Sequence, residues 1–394
     1  MVTENDLPCS LYIHIPFCDK RCAYCDFNTY AGLSHLIDPF VEALCSDIRL
    51  VGKRIHNPKV DTIFFGGGTP TLLSGDHFKQ IFSAIRQCFQ IMPGAEISLE
   101  ANPGTIAPGY FEALREVGFN RVSFGVQSAD TRMLKFLDRI HSFEQVIGSV
   151  EQAKGAGFNN FNLDLIFGIP GQSMNMWQES LKACADLQPS HLSAYALGIE
   201  TGTPLQQWYQ KGLIEKVDDD LAADQFDYAR QFLGALGYDH YEISNWCKPG
   251  SECRHNLRYW RNGNYLAFGP GAHGRFNGLR YSNMLSIPAY IKAVKAETVA
   301  EIPIPCGPSV RDWHKNTLAE DLDDRMMCGL RLLNEGVIAA ELASEFGIDL
   351  WQNYAKAIKK MGSLGLIEVS QIGIRLSSKG VLLGNQVFSE FIGD

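Results

Sequence analysis

Between Leu11 and Gly198, short apolar runs alternate with amphipathic stretches, and this repeat constrains the fold of the 394-residue chain more than any other feature. Runs at residues 11–15, 62–65, 96–100, 121–126, 161–167 and 191–198 have the length and composition of buried strands. Between them, residues 37–53, 77–90, 110–117, 143–154 and 176–187 place apolar side chains at helical spacing. A strand plus a helix recurs every roughly 25 to 40 residues, the pattern of βα units on a parallel sheet. Six such units make either an open doubly wound sheet or a partial barrel. In both, the loops after the strands build the site.

Beyond a Pro- and Gly-bearing stretch at 302–308 that reads as a linker, residues 321–333, 337–346 and 350–364 predict helices, and 366–376 two short strands around 371–373. That pattern is winged-helix-like and divides the chain into 1–300 and 301–394. The tail carries few basic residues, so a packing module or dimer surface is expected rather than a nucleic-acid reader. The whole chain carries a net charge of −9 and no polybasic stripe, which excludes a dedicated nucleic-acid binder. Residues 1–10 contain Glu4 and Asp6 and no apolar run of signal-peptide length, and no stretch of about 18 apolar residues occurs anywhere. A cytoplasmic protein follows, with membrane association peripheral at most.

Eleven cysteines, an odd number, are scattered except for one cluster, so thiol or metal chemistry is expected rather than a disulfide framework. The cluster is Cys18-x3-Cys22-x2-Cys25, directly after the first strand. Three thiolates on so short a loop suit zinc or three corners of an iron–sulfur cubane. Zinc would need a fourth protein ligand, with Cys9 or His14 as candidates, whereas a catalytic cluster keeps one position open. After the second strand comes Gly66-Gly67-Gly68-Thr69-Pro70-Thr71, where glycine lets backbone approach a ligand closely. Glu100 and Gln127 end the third and fourth strands and Asp164 lies in the fifth. A charge inside an apolar strand is costly unless paired, and three polar groups at equivalent positions suggest a shared ligand. Such groups can hydrogen-bond ribose hydroxyls, and the planar fork of Arg139 can grip a carboxylate. The turn 168–172 offers Ile169 to a flat ring.

The x3-x2 spacing, with Tyr24 before the third cysteine, resembles the signature of the radical S-adenosylmethionine (SAM) superfamily. The resemblance implies a 4Fe-4S cluster on Cys18, Cys22 and Cys25, with the open iron chelating SAM, whose reductive cleavage gives a 5′-deoxyadenosyl radical. It implies a SAM site of Tyr12, Gly67, Gly68, Thr69, Glu100, Gln127, Arg139, Asp164 and Ile169. Taken with Glu100-Ala101-Asn102-Pro103-Gly104, Gly125-Val126-Gln127-Ser128, residues 164–172 and the helical tail, the chain resembles the HemN/HemW branch of that superfamily over nearly its whole length. An α/β fold follows, a partial (β/α)6 TIM-like barrel with a small C-terminal helical, winged-helix-like domain.

That branch contains an oxygen-independent coproporphyrinogen III dehydrogenase and a haem chaperone. The dehydrogenase carries a further cysteine two places after its third cluster cysteine, where Phe27 stands here, and a long extension before the cluster, where this chain has 17 residues. His255-Asn256-Leu257-Arg258-Tyr259-Trp260 matches the His-Asn-x-x-Tyr-Trp motif of the chaperone side. The resemblance thus implies haem as cargo, haem-accepting respiratory proteins as partners, a homodimer, and no decarboxylase activity. His255, Tyr259, Trp260 and His273 are the haem candidates, because histidine ligates haem iron and aromatic rings stack on porphyrin, and Arg258 could meet a propionate. The plainer readings are a hydrogen-bonded His255 in a loop and a His273 that ends a strand. Cys247, Cys253 and His255 have the spacing of a second, three-ligand metal site.

Overall fold

The computed structural model describes residues 8–297 and 302–393. The acidic residues Glu4 and Asp6 and the expected division at 300/301 lie outside the described residues.

Strands β1 (Cys9–Ile15), β2 (Lys59–Gly67), β3 (Gln90–Ala101), β4 (Arg121–Gln127), β5 (Asn160–Phe167) and β6 (His191–Ala196) lie side by side in chain order, all parallel. Helices α1 (Ile37–Arg54), α2 (Gly75–Cys88), α3 (Tyr110–Val117), α4 (Phe143–Gly155) and α5 (Met174–Asp186) connect them. Ser74, Ser142 and Ser173 open α2, α4 and α5 with reciprocal capping boxes, which fixes where those helices begin. Helix α6 (Asp219–Ala235) follows β6.

The sheet then grows at both edges. Antiparallel β7 (Asp239–Glu242) and β8 (Asn245–Cys247) extend it beyond β6, while β9 (Tyr265–Phe268) runs parallel to the free edge of β1. Strands β10 (His273–Phe276), β11 (Leu279–Asn283) and β12 (Val310–Lys315) continue outward from β9, giving twelve strands in the order β12-β11-β10-β9-β1-β2-β3-β4-β5-β6-β8-β7. Strand β12 was not expected from the sequence, because it has no buried face and hence no apolar alternation.

Side chains alternate across each parallel strand. Leu11, Ile13 and Ile15, Ile63 and Phe65, Val122, Phe124 and Val126, and Leu163 and Leu165 point outward and are buried with the helices in one apolar core. The opposite positions are polar or aromatic: Tyr12, Phe64, Glu100, Arg121, Asp164 and Ser193, one from each of the six strands, line a single cavity of about 200 Å³. Six parallel strands can face one cavity only if the sheet curves round it. It does not close, since β1 pairs with β9 and β6 with β8. A filled barrel of this class packs branched apolar residues inside. Here the interior is a site.

In the C-terminal region α8 (Leu318–Gly329), α9 (Ala339–Phe346) and α10 (Ala355–Ser363) pack with a small antiparallel sheet of β13 (Val337–Ile338), β14 (Ile367–Val369) and β15 (Gly373–Leu376). The helix expected at 337–346 starts two residues late, because β-branched Val337 and Ile338 pair with β15 instead. The stretch expected as a linker packs down on the core, with Cys306 buried and the Ser309 hydroxyl donating to Asp47 of α1 at 2.9 Å. Among the described residues no helix is long and apolar enough to cross a membrane.

Candidate functional site

The cysteine loop leaves the end of β1 through Phe17–Cys18, which pairs with Tyr30–Ala31. Cys18, Cys22 and Cys25 are each half-buried. Burial raises the pKa of Cys18, opposed by the Thr69 and Thr29 hydroxyls and reinforced by Cys25 and Cys22, and it raises that of Cys25, opposed chiefly by a backbone hydrogen bond at Phe27 and reinforced by Cys22. The Thr69 hydroxyl donates to Cys18 Sγ at 3.7 Å and Arg139 Nη1 to Cys22 Sγ at 3.4 Å. Cys9 lies at the far end of β1, and both ring nitrogens of His14 are engaged, by Tyr12 at 3.0 Å and the Asn28 carbonyl at 2.9 Å. Neither is placed to complete a four-ligand zinc site. Among the described residues no group of three or more His, Cys, Asp or Glu converges on a single-ion position. Three thiols on one loop, held by a hydroxyl and a guanidinium and lacking a fourth ligand, are the donor set a cluster with an open iron requires.

The glycine turn is sewn to this loop. Gly68 N–H donates to the Ile15 carbonyl at 2.8 Å and Thr69 N–H to that of Phe17 at 2.7 Å. A side chain on Gly68 would strike the Phe17 carbonyl at 2.5 Å, and one on Gly67, at φ +107°, the His14 ring at 2.2 Å. Gly67 N–H donates to Glu100 at 2.9 Å, so the turn and the carboxylate form one wall. Gly67→Ala is accordingly expected to lower stability by roughly 2 kcal/mol or more, through both the strained φ and the overlap, and to weaken SAM binding. Thermal unfolding and SAM titration of the anaerobic protein check this.

Glu100 and Asp164 face the cavity. Burial raises both carboxyl groups, Glu100 from 4.5 to about 7, and the charge of Asp164 adds to the rise at Glu100. Asp164 accepts from Ser123 and Asn162, both at 2.8 Å. Gln127 ends β4 at φ +67°, an uncommon conformation for a non-glycine residue, and its side chain flanks Gly125 together with Arg139. Arg139 Nη2 donates to the Gly125 carbonyl at 2.8 Å, while its buried Nε has no partner, a donor left over for a ligand carboxylate. Ile169 is buried beside Ile166, Leu197 and Leu205, with Tyr24 of the cysteine loop packed on the same cluster. Of the nine residues expected at SAM, Tyr12, Glu100 and Asp164 line the cavity, the turn at Gly67–Thr69 is tied to Glu100 and to the cysteine loop, and Arg139 reaches Cys22.

The four haem candidates do not share a location. Residues 254–260, expected as a loop, form helix α7 (Arg254–Trp260), because Glu96 of β3 accepts from the Arg254 and His255 N–H groups, both at 3.1 Å. His255 is buried and stacked on Phe64 at 5.2 Å, its Nδ1 bonded to Thr62 at 2.7 Å and Nε2 to Tyr259 at 2.8 Å. Burial pushes its pKa down to about 3, so the ring is neutral. Arg258 pairs with Asp61. Trp260 turns away toward the C-terminal region, with the Arg331 guanidinium 4.4 Å over its ring. His273, expected in a loop, opens strand β10 and is exposed, its ring without a hydrogen bond among the described residues. The preceding turn is strapped to the cysteine loop by Asn28, which donates to the Pro270 carbonyl at 3.0 Å. Cys247, Cys253 and His255 do not converge.

Sequence reading missed Arg121, Ser123, Asn162, His191 and Ser193, which share the cavity with Glu100 and Asp164. The signal was available as period-two alternation of polar residues in β4, β5 and β6.

The radical SAM superfamily profile matches residues 12–184 and the HemN C-terminal domain profile residues 316–383. A protein of Bacillus subtilis (strain 168) described as heme chaperone HemW is 36% identical over 98% of this chain and 99% of its own length. One from Mycobacterium tuberculosis (strain ATCC 25618 / H37Rv) with the same description is 40% identical over 98% of this chain and 95% of its own. In fold, coproporphyrinogen III oxidase (HemN) from Escherichia coli matches with a TM-score of 0.84 at 24% identity, covering 98% of this chain and 90% of that one.

Proposed function

The chain belongs to the HemW family of radical SAM proteins, and from that premise we propose that it binds haem and passes it to haem-dependent respiratory proteins in the cytoplasm, on a core that holds a 4Fe-4S cluster and SAM. Residues 1–300 would form that core and 301–394 the appended domain. The observation that carries the reading is the cysteine loop itself. Its three thiols adjoin the glycine turn and Arg139, while Phe27, 58% exposed, stands where the dehydrogenase relatives carry a further cysteine.

Cys18, Cys22 and Cys25 would hold the cluster, which when bound supplies the electron for SAM cleavage. Glu100 and Asp164 would accept hydrogen bonds from ribose hydroxyls or the methionine ammonium, Arg139 Nε would meet the methionine carboxylate, and Gly67, Gly68 and Thr69 would offer backbone at close range. Tyr12 holds His14 in one tautomer beside them: His14 Nε2 donates to the Asn28 carbonyl, and Nδ1 accepts from the Tyr12 hydroxyl.

For haem, His273 has the accessible ring next to the cluster loop, and we place the iron contact there. His255 and Tyr259 support the motif from inside, by anchoring α7 to β2. His273→Ala should therefore weaken haem binding about tenfold or more with thermal stability unchanged, whereas His255→Ala should lower stability by about 2–4 kcal/mol. Spectral titration with haem and thermal unfolding separate the two outcomes.

Anaerobic protein with reductant and SAM should bind haem stoichiometrically, load an apo-form respiratory haem protein, and leave coproporphyrinogen III unchanged. Failure to bind haem refutes the proposal. The intact SAM rim and polar interior favour a second reading, a porphyrin-modifying radical enzyme, and a decarboxylated product in that assay would establish it instead.

A further inference from the structure

Inside the curved sheet, below the SAM rim, the cavity floor is built from the N-terminal halves of β4, β5 and β6 and from α7. Its polar groups satisfy one another in a chain. The Tyr241 hydroxyl donates to His191 Nε2 at 2.8 Å, His191 Nδ1 to Asn162 Oδ1 at 2.7 Å, the Asn162 amide to Ser123 at 2.7 Å and Asp164 at 2.8 Å, and Ser123 to Asp164 at 2.8 Å. Glu96 is taken up by α7 and Cys253.

Arg121 stands outside this chain. Its side chain lines the cavity and is 2% exposed, yet it makes no ion pair or hydrogen bond among the described residues, and its Nε is fully buried without a partner. Glu96 and Asp164 lie near enough to act on its charge but neither bonds to it, so what the guanidinium lacks is hydrogen-bond acceptors, a cost tolerated where a ligand supplies them. Its planar fork matches a carboxylate bidentately. Two carboxylates, Glu100 and Asp164, line the same space, so a second negative charge on the ligand would be repelled and a dianion such as phosphate is disfavoured. About 200 Å³ falls below the roughly 300–1,000 Å³ of pockets for drug-sized molecules, so only a small molecule or one arm of a larger one fits. Tyr195, 40% exposed, lies at the strand ends where the cavity meets the rim.

We propose that the interior is a monocarboxylate-binding site anchored by Arg121, distinct from the haem contact at His273 and open toward the SAM rim. A free short-chain acid and the propionate arm of a tetrapyrrole offer the same group. Tyr195 covers the entrance.

The experiment uses the full chain, reconstituted anaerobically and loaded with SAM. Calorimetric titration with propionate should show saturable one-site binding that weakens at least about tenfold in Arg121→Gln and partly recovers in Arg121→Lys. Chloride and inorganic phosphate should compete poorly. Metal-free mesoporphyrin and its dimethyl ester form the second arm. Displacement of propionate by the diacid and not the ester assigns the group to a tetrapyrrole arm, and displacement by neither assigns it to a free acid. Absence of saturable binding to the wild-type protein, equal binding by Arg121→Gln, or equal affinity for phosphate overturns the proposal. Should Arg121→Gln not fold, crystals of the wild-type protein soaked in 3-bromopropionate decide, since the bromine must appear inside the sheet, and its absence there is equally fatal.

Discussion

Replacing Cys22 by alanine is expected to drop the iron of anaerobically reconstituted protein from about four per chain to below about one, with loss of the cluster absorbance. Two remaining thiolates cannot hold three corners of a cubane, and among the described residues no group of three or more His, Cys, Asp or Glu offers a replacement site. The change also removes the sulfur that faces Arg139 Nη1, leaving that guanidinium with only the Gly125 carbonyl. SAM affinity should therefore fall with the iron. The control is Cys184→Ala: Cys184 is fully buried on α5, far in sequence from the loop, so its loss creates a small cavity and leaves the iron content intact. Iron retained in Cys22→Ala would show that the loop is not the cluster site.

The order of β1 to β6 was legible because each unit repeats one physical requirement, a strand with an apolar outer face followed by a helix that covers it. Glu100 and Asp164 were legible for the converse reason, as carboxylates where an apolar strand should exclude them. Arg121, Asn162 and His191 obey the same alternation, yet in any single strand a polar face reads as ordinary exposure to water. Only the curvature that brings six such faces together turns them into a site, and curvature is a tertiary property. Helix α7 was hidden for a related reason. Its first turn is fixed by Glu96, which lies over 150 residues earlier, and no local capping residue announces it. The same long-range contact takes His255 out of the loop in which its motif was read and into the interior.

Glu100→Gln is expected to move stability and ligand binding in opposite directions. Burial, reinforced by the charge of Asp164 and opposed by the Gly67 N–H, raises the Glu100 carboxyl from 4.5 to about 7 in the folded protein. A folded-state value above the unfolded one favours folding fully below pH 4.5, and that contribution is lost as pH rises through about 7. The wild-type melting temperature should thus fall between pH 5 and pH 8 by more than that of Glu100→Gln, which holds no ionisable group there. SAM binding should respond inversely. Its ammonium and sulfonium charges favour the ionised carboxylate, so binding near pH 6 should release a proton and tighten as pH approaches 8. Calorimetry in two buffers of different ionisation enthalpy measures that proton directly. The variant should bind SAM at least about tenfold more weakly at pH 8 and release no proton at pH 6, because its amide keeps one acceptor but no charge. A wall that costs stability at neutral pH is one shaped for a cation. Equal proton release from both proteins would assign the titration to Asp164, the other raised carboxylate in the cavity.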